Sequence, residues 1–212
     1  MQTGTVKKNT YFLAASQAGQ LLLAFIMIYV IADRLGDDKF GIYMFGTVMG
    51  YFIQMLNDLG VNIFITREAA RDRTHVDRYF WNGTALKGLL LSLSALFVAI
   101  YLLSGQFTSE KIHVVLWFGV FGVLSSFNQL CHAIYRAYER MEYEMGVLMF
   151  EKVLITSLGI LFILKNRGVV ALCSAYAIAA ACHAVVNLRL IRRKFVTSKP
   201  AVDPVFMKSI LR

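Results

Sequence analysis

Runs of apolar residues separated by short polar gaps divide the chain into six segments, at 11–32, 40–65, 84–103, 114–135, 145–164 and 169–190. A helix rises about 1.5 Å per residue, so each segment is long enough to cross a hydrocarbon core about 30 Å thick. Within that core no water is present to satisfy backbone amides, and a helix satisfies its own. The pattern predicts an all-α polytopic membrane protein with six transmembrane helices. The first segment is too long for the apolar core of a signal peptide and is followed by no cleavage pattern, so it counts as a helix. Pro200 and Pro204, the only prolines, follow Lys194 in a polar stretch. The expected organisation is a six-helix lobe over 1–195 and a cytoplasmic tail or linker over 196–212, with no helix broken by proline.

Composition agrees with a membrane setting: 58% of the residues are hydrophobic. The net charge of +9 would suggest nucleic acid in a soluble protein. Here the basic residues lie between the apolar segments, where anionic headgroups and membrane orientation account for them, and no nucleic-acid partner is expected. With the N-terminus cytoplasmic, 15 of the 22 basic residues fall on the inner side and five on the outer, while Lys87 and Lys152 lie within segments. That bias places both termini in the cytoplasm and the protein in the cytoplasmic (inner) membrane. Tyr79, Phe80 and Trp81 before the third segment, and Tyr135, Tyr138 and Tyr143 around the second inner loop, suit the interface.

Polar residues inside a bilayer are costly and therefore informative. Thr47, Gly50, Gln54 and Asp58 form one helical stripe in the second segment, with Asn57 and Asn62 beside it. Ser125, Asn128 or Gln129, His132 and Arg136 form another in the fourth. Such stripes either line a hydrophilic cavity or bond helix to helix within a bundle. Taken together, they point to a cavity whose positive groups suit an anionic substrate such as a diphosphate. The substrate-cavity candidates are Gln54, Asp58, Arg67, Lys87, Asn128, His132, Arg136 and Lys152. The ion-coupling candidates are Asp58 and Glu151, and Glu151 is equally open to pairing with a neighbouring Lys or Arg. Arg67, Lys87 and Lys152 are also placed to snorkel to headgroups. His132 and His183 are expected as hydrogen-bonded packing residues. Gly46-x-x-x-Gly50 and the series Ala171, Ala175, Ala179 signal close helix approach.

Several functions are excluded or unsupported. Cys131, Cys173 and Cys182 lack metal-binding spacing, and no cofactor or metal is expected. No phosphate-cradling loop, H-E-x-x-H, G-x-S-x-G or T-V-G-Y-G motif occurs, so an ATP motor, a hydrolase and a potassium filter lose support, and no catalytic residue is assigned. Asn82-Gly-Thr84 matches the glycosylation pattern but falls on the cytoplasmic side.

The loop Leu35-Gly36-x-x-x-Phe40-Gly41-x-Tyr43, with Asp58-Leu-Gly60 and Arg67-Glu-Ala-Ala-Arg71, resembles the polysaccharide-biosynthesis flippases. These are the Wzx-like O-antigen transporters of the multidrug/oligosaccharidyl-lipid/polysaccharide (MOP) exporter superfamily. Leu86-Lys87-Gly88, Tyr135-Arg-Ala-Tyr-Glu-Arg140 and Glu151-Lys-Val-Leu154 match in order. Asp37 stands where the family often has proline. Members have twelve to fourteen helices in two lobes, so the resemblance implies an N-terminal lobe, either a fragment or a split half, whose end at 203–212 looks like the approach to a seventh helix. It further implies translocation of a polyprenyl-diphosphate-linked oligosaccharide by alternating access, coupled to a proton or sodium gradient. Expected partners are the lipid-linked glycan, the bilayer, a second lobe, and glycosyltransferases or a polysaccharide polymerase. Two other readings stay open: a multidrug/cation antiporter of the same superfamily, and a membrane scaffold that transports nothing.

Overall fold

The computed structural model describes residues 3–105, 107–196 and 203; side chains of 3–13 and 15 are not among those described. The side chains of Lys7 and Lys8, and most of the expected tail, therefore lie outside what is described. The elements are α1 (Thr3–Leu56), α2 (Val61–Arg71), a 3-10 turn (Arg73–His75), α3 (Val76–Ser104), α4 (Ser109–Ala137), α5 (Met141–Leu164) and α6 (Gly168–Lys194). No strand occurs among the described residues. The last four predicted segments fall inside α3, α4, α5 and α6.

The first two segments share α1, whose 54 residues far exceed the thickness of a bilayer. Gly36 divides it. Its φ of 74° and ψ of 166° lie in a region essentially restricted to glycine. The two arms pack on one core, the first through Met27 and Ile31 and the second through Tyr43. Among the described residues, five helices are long and apolar enough to cross a membrane, and with α1 counted as two arms there are six candidate crossing segments.

One boundary differs from the sequence expectation. The second segment does not run unbroken to residue 65: α1 stops at Leu56 and α2 starts at Val61. Leu59 (φ 40°) and Gly60 (φ 86°) adopt left-handed conformations that end the helix. Asp58 then restarts it, its Oδ1 accepting from the Asn62 amide at 3.2 Å. The interruption needs no proline, because glycine serves.

α4 packs against every other helix, and α1 meets it through small residues. Gly46 lies against Val114 and Phe118, and a Cβ on Gly122 would collide with the Gly50 carbonyl oxygen. The Gly46-x-x-x-Gly50 signal thus serves packing within the chain. Buried apolar side chains form two clusters. One lies toward the basic end and includes Ile65, Phe80, Leu130, Ile134, Val147 and Ile191. The other includes Met27, Tyr43, Val114, Phe118, Ile155 and Leu172. Among and beside these apolar side chains are the buried polar residues Asn57, Ser94, Ser126, Asn128, His132, Glu151, His183 and Asn187. Large apolar side chains of α1, α2 and α3, among them Leu21, Phe25, Tyr29, Ile63, Leu89 and Leu96, remain exposed, as suits surfaces that meet lipid.

At the basic end Asp72 accepts from the Thr74 hydroxyl (2.6 Å) and amide (2.9 Å) and lies 2.7 Å from His75 Nδ1. Those bonds, the Thr74 hydroxyl foremost, hold its carboxyl down at about 2. Asn82 is buried, donates to the Arg78 carbonyl and accepts from the Asp203 amide at 2.7 Å, a setting that suits packing and not glycosylation. Val196, the first residue of the expected tail, is buried in the core.

Gly36 has no atoms within 4 Å of an added Cβ, so a substitution there isolates backbone strain. Gly36→Ala is expected to lower stability by about 1–3 kcal/mol. Gly41→Ala, equally uncrowded but helical, is expected to be neutral or slightly stabilising. Unfolding of both variants in mixed micelles tests the contrast.

Candidate functional site

The break at 57–60 frees backbone groups in the middle of the lobe, and side chains of two other helices take them up. Lys87 Nζ donates to the Asn57 carbonyl (3.2 Å), to Asp58 Oδ1 (3.3 Å) and to Ser126 Oγ (2.7 Å). Ser126 Oγ donates to the same Asn57 carbonyl at 3.0 Å. Asn57 Nδ2 reaches Ser94 Oγ at 2.6 Å and the Ile53 carbonyl at 3.0 Å. The lysine side chain is 7% exposed and its Asp58 partner 29%, so the cation is enclosed while the carboxylate retains an opening. An ammonium has three donors, and all three are engaged here.

The second cluster lies on the other side of α4, against α5 and α6. Glu151 Oε2 is 2.8 Å from His183 Nδ1, and His183 Nε2 is 3.2 Å from His132 Nε2. His132 Nδ1 is 3.9 Å from Glu144 Oε1. Glu144 is held by Arg136, whose Nε donates to both carboxylate oxygens at 3.0 Å and whose Nη2 adds a further bond. One turn away on the same faces, Asn187 Nδ2 donates to Asn128 Oδ1 (3.1 Å), Tyr135 donates to Asn187 Oδ1 (3.1 Å), and Asn128 Nδ2 donates to the Ala180 carbonyl (3.2 Å). Spacing produces this: 128, 132 and 136 share a face of α4, 183 and 187 a face of α6, and 144 and 151 a face of α5.

The eight substrate-cavity candidates therefore divide. Lys87 and Asp58 meet at the break. Asn128, His132 and Arg136 belong to the second cluster, together with the ion-coupling candidate Glu151, whose partner is a histidine and not Lys or Arg. Gln54 is half-buried at the crossing of α1 and α4. Arg67 is exposed, pairs with Glu68 at 3.0 Å and lies over the Phe64 ring. Lys152 is half-buried and joins neither cluster among the described residues. An apolar groove of about 480 Å³ between α3 and α4, lined by Leu91, Val98, Leu116 and Val120 among others, and a second cavity of about 540 Å³ near Asp37, Tyr101 and Lys111 include none of the eight. Among the described residues, no three His, Cys, Asp or Glu side chains are grouped to hold a metal ion.

Two partners escape a reading of the sequence. Glu144 stands at the edge of an apolar segment, where a carboxylate reads as solvated; its seven-residue spacing from Glu151 is the signal that puts both on one face. Ser126 is missed because its neighbour Ser125 fits the helical stripe better, whereas Ser126 points at the break.

These features define a multi-pass helical membrane lobe fastened by buried polar contacts. A family model described as "Polysaccharide biosynthesis protein" matches residues 6–212, and the chain belongs to that family. A solved structure, a MOP superfamily transporter from Pyrococcus furiosus described as having a binding pocket of reverse polarity, superposes with a TM-score of 0.74 at 17% identity. The match covers 98% of this chain and 50% of that one, so this chain spans about half the length of that structure and shares the fold of a MOP-transporter lobe. No curated protein matches.

Removing Lys87 leaves the Asn57 carbonyl with one donor and Asp58 without its cation. Lys87→Met is expected to cost about 2–3 kcal/mol, the upper range for a buried pair being discounted for the partial exposure of Asp58. Lys152→Met is expected to stay within about 0.5 kcal/mol. Unfolding in mixed micelles separates the two.

Proposed function

We propose that the chain is the N-terminal lobe of a flippase that carries a polyprenyl-diphosphate-linked oligosaccharide across the cytoplasmic membrane by alternating access, for surface polysaccharide assembly. The observation that carries this reading is the family match over 6–212, together with a superposition that accounts for one half of a MOP transporter. Two lobes that rock against each other need an uncovered face on each, and part of the exposed apolar surface of α1 and α3, the rest meeting lipid, is open to that use. A diphosphate needs cations at its entry. Arg67, Arg71, Arg73, Arg78, Arg136 and Arg140 all lie at one end of the lobe, which the loop-charge bias assigns to the cytoplasm with both termini.

Within this reading, Gln54, Asp58, Arg67, Arg136 and Lys152 keep enough exposure to meet a cargo or its counter-ion directly. Lys87, Asn128 and His132 act from behind them, fixing the helices that present them. Glycosyltransferases or a polymerase supply and consume the glycan. The buried carboxylate of Glu151 favours a second reading, a multidrug/cation antiporter, for which an enclosed acidic ion site is the main requirement.

A clean deletion of the gene is expected to leave glycan-lipid on the cytoplasmic leaflet and to deplete surface polysaccharide, measured by leaflet-selective glycan labelling. Normal surface polysaccharide contradicts the flippase. Unchanged polysaccharide with new drug sensitivity selects the antiporter.

A further inference from the structure

Glu151, His183 and His132 form an unbranched hydrogen-bonded chain whose two ends are both unsatisfied. Glu151 Oε1 and His132 Nδ1 are buried with no hydrogen-bond partner among the described residues. Orphaned polar atoms at such a site are costly, by about 1–3 kcal/mol each in protein interiors, and two at the ends of one chain require a common explanation.

Counting hydrogens provides it. The Nε2···Nε2 contact of 3.2 Å holds one hydrogen, and so does the Nδ1···Oε2 contact of 2.8 Å. With Glu151 ionised and both rings neutral, His183 carries its hydrogen on Nδ1 and His132 on Nε2. His132 Nδ1 is then a bare lone pair aimed at the Glu144 carboxylate 3.9 Å away, an unfavourable arrangement. One added proton eases both ends. It binds His132 Nδ1, the His132 Nε2 hydrogen passes to His183 Nε2, and the His183 Nδ1 hydrogen passes to Glu151. His132 now offers an N–H to Glu144, and Glu151 is a neutral acid whose unbonded oxygen costs less than a carboxylate's. Two hydrogens have become three, and no heavy-atom bond has changed.

We propose that Glu151, His183, His132 and Glu144 form a proton-binding relay in which a proton arriving beside Glu144 neutralises Glu151, the two carboxylates standing two helical turns apart, about 10 Å. Arg136, which holds Glu144, marks the exposed end of the relay: its side chain is 43% exposed and that of Glu144 7%. Among the groups that face the relay, Arg136 carries charge and is engaged by Glu144. From α4 the relay faces Cys131, Tyr135 and Arg136. From α6, Asn187 is uncharged and bonded to Asn128 and Tyr135. α1 meets α5 with Gly19 against Met149 and Met27 against Gly159 and contributes only uncharged residues over that stretch. On the far side of α4, Lys87 and Asp58 engage each other, and α2 offers the Thr66 hydroxyl to the Ala133 carbonyl. The use of the proton, to drive transport, rests on the transporter reading; its binding does not.

The test is infrared difference titration of the 212-residue chain in lipid nanodiscs with no cargo, between about pH 5 and 8. The expected result is a carboxylic-acid C=O band on acidification, with about one proton taken up per chain. The band should vanish in Glu151→Gln and persist in Glu144→Gln. In His132→Phe its midpoint should move by about one pH unit or more. Carboxyl-labelled glutamate in the unmutated chain assigns the band if a variant fails to fold. No glutamic-acid band in that range overturns the proposal, and so does a midpoint indifferent to His132→Phe. Because no cargo is present, a chain that binds the proton yet whose deletion leaves polysaccharide normal contradicts only the transport reading. A chain whose deletion depletes polysaccharide but which shows no band contradicts only the relay.

Discussion

A helix interrupted inside a membrane exposes carbonyl groups that no water can reach, and here one ammonium group meets that demand. Lys87 bonds the Asn57 carbonyl, the Asp58 carboxylate and Ser126 at once. The bonds join α3 and α4 to the start of the break, and Asp58 in turn accepts from Asn62 of α2, so the path of the chain from α1 into α2 depends on them. The desolvated cation is tolerable because every donor has an acceptor. The freed carbonyl is tolerable because it has two donors. Each half solves the other's problem, and neither would be stable alone.

The same principle extends across the lobe. Apolar packing occupies two clusters, and lipid chains compete with apolar side chains on equal terms, so packing alone gives little preference for one helix register over another. The buried polar contacts supply that preference, since each pairs only in one alignment. Asn128 with Asn187 sets α4 against α6, and His183 with Glu151 sets α6 against α5. Close approach of α1 and α4 at Gly50 and Gly122 fixes a further pair. A lobe built this way can move as a unit, which is what alternating access between two lobes asks of each.

Much of this was legible in the residues. Apolar run length marked every crossing segment, and the half-buried Asp58 at the break and the buried Lys87, His132 and Glu151 stood out because charge within such runs is costly. The break at 57–60 was not legible from hydropathy, since Leu59, Val61 and Ile63 keep the run apolar across it. The turn signal lay in Asp58-Leu-Gly60, which three apolar neighbours masked. Gly36 marked the gap between two segments, but nothing in the sequence said that one glycine in a helix-breaking conformation would be the whole connection. The histidines were each read as lone packing residues. Their pairing belongs to the crossing of α4 and α6, 51 positions apart in the chain, and no local pattern encodes it. The expectation of a cavity followed from treating each stripe as facing solvent; the fourth segment's stripe faces α5 and α6 instead.

The central claim is that Lys87 and the interrupted backbone hold each other in place. A double-mutant cycle of Lys87→Met and Asp58→Asn, followed by unfolding in mixed micelles, measures it most directly. Residues sharing one network are expected to show a coupling energy of about 1 kcal/mol or more, with the double variant less destabilised than the two single effects summed. Strict additivity of the two substitutions would contradict the account.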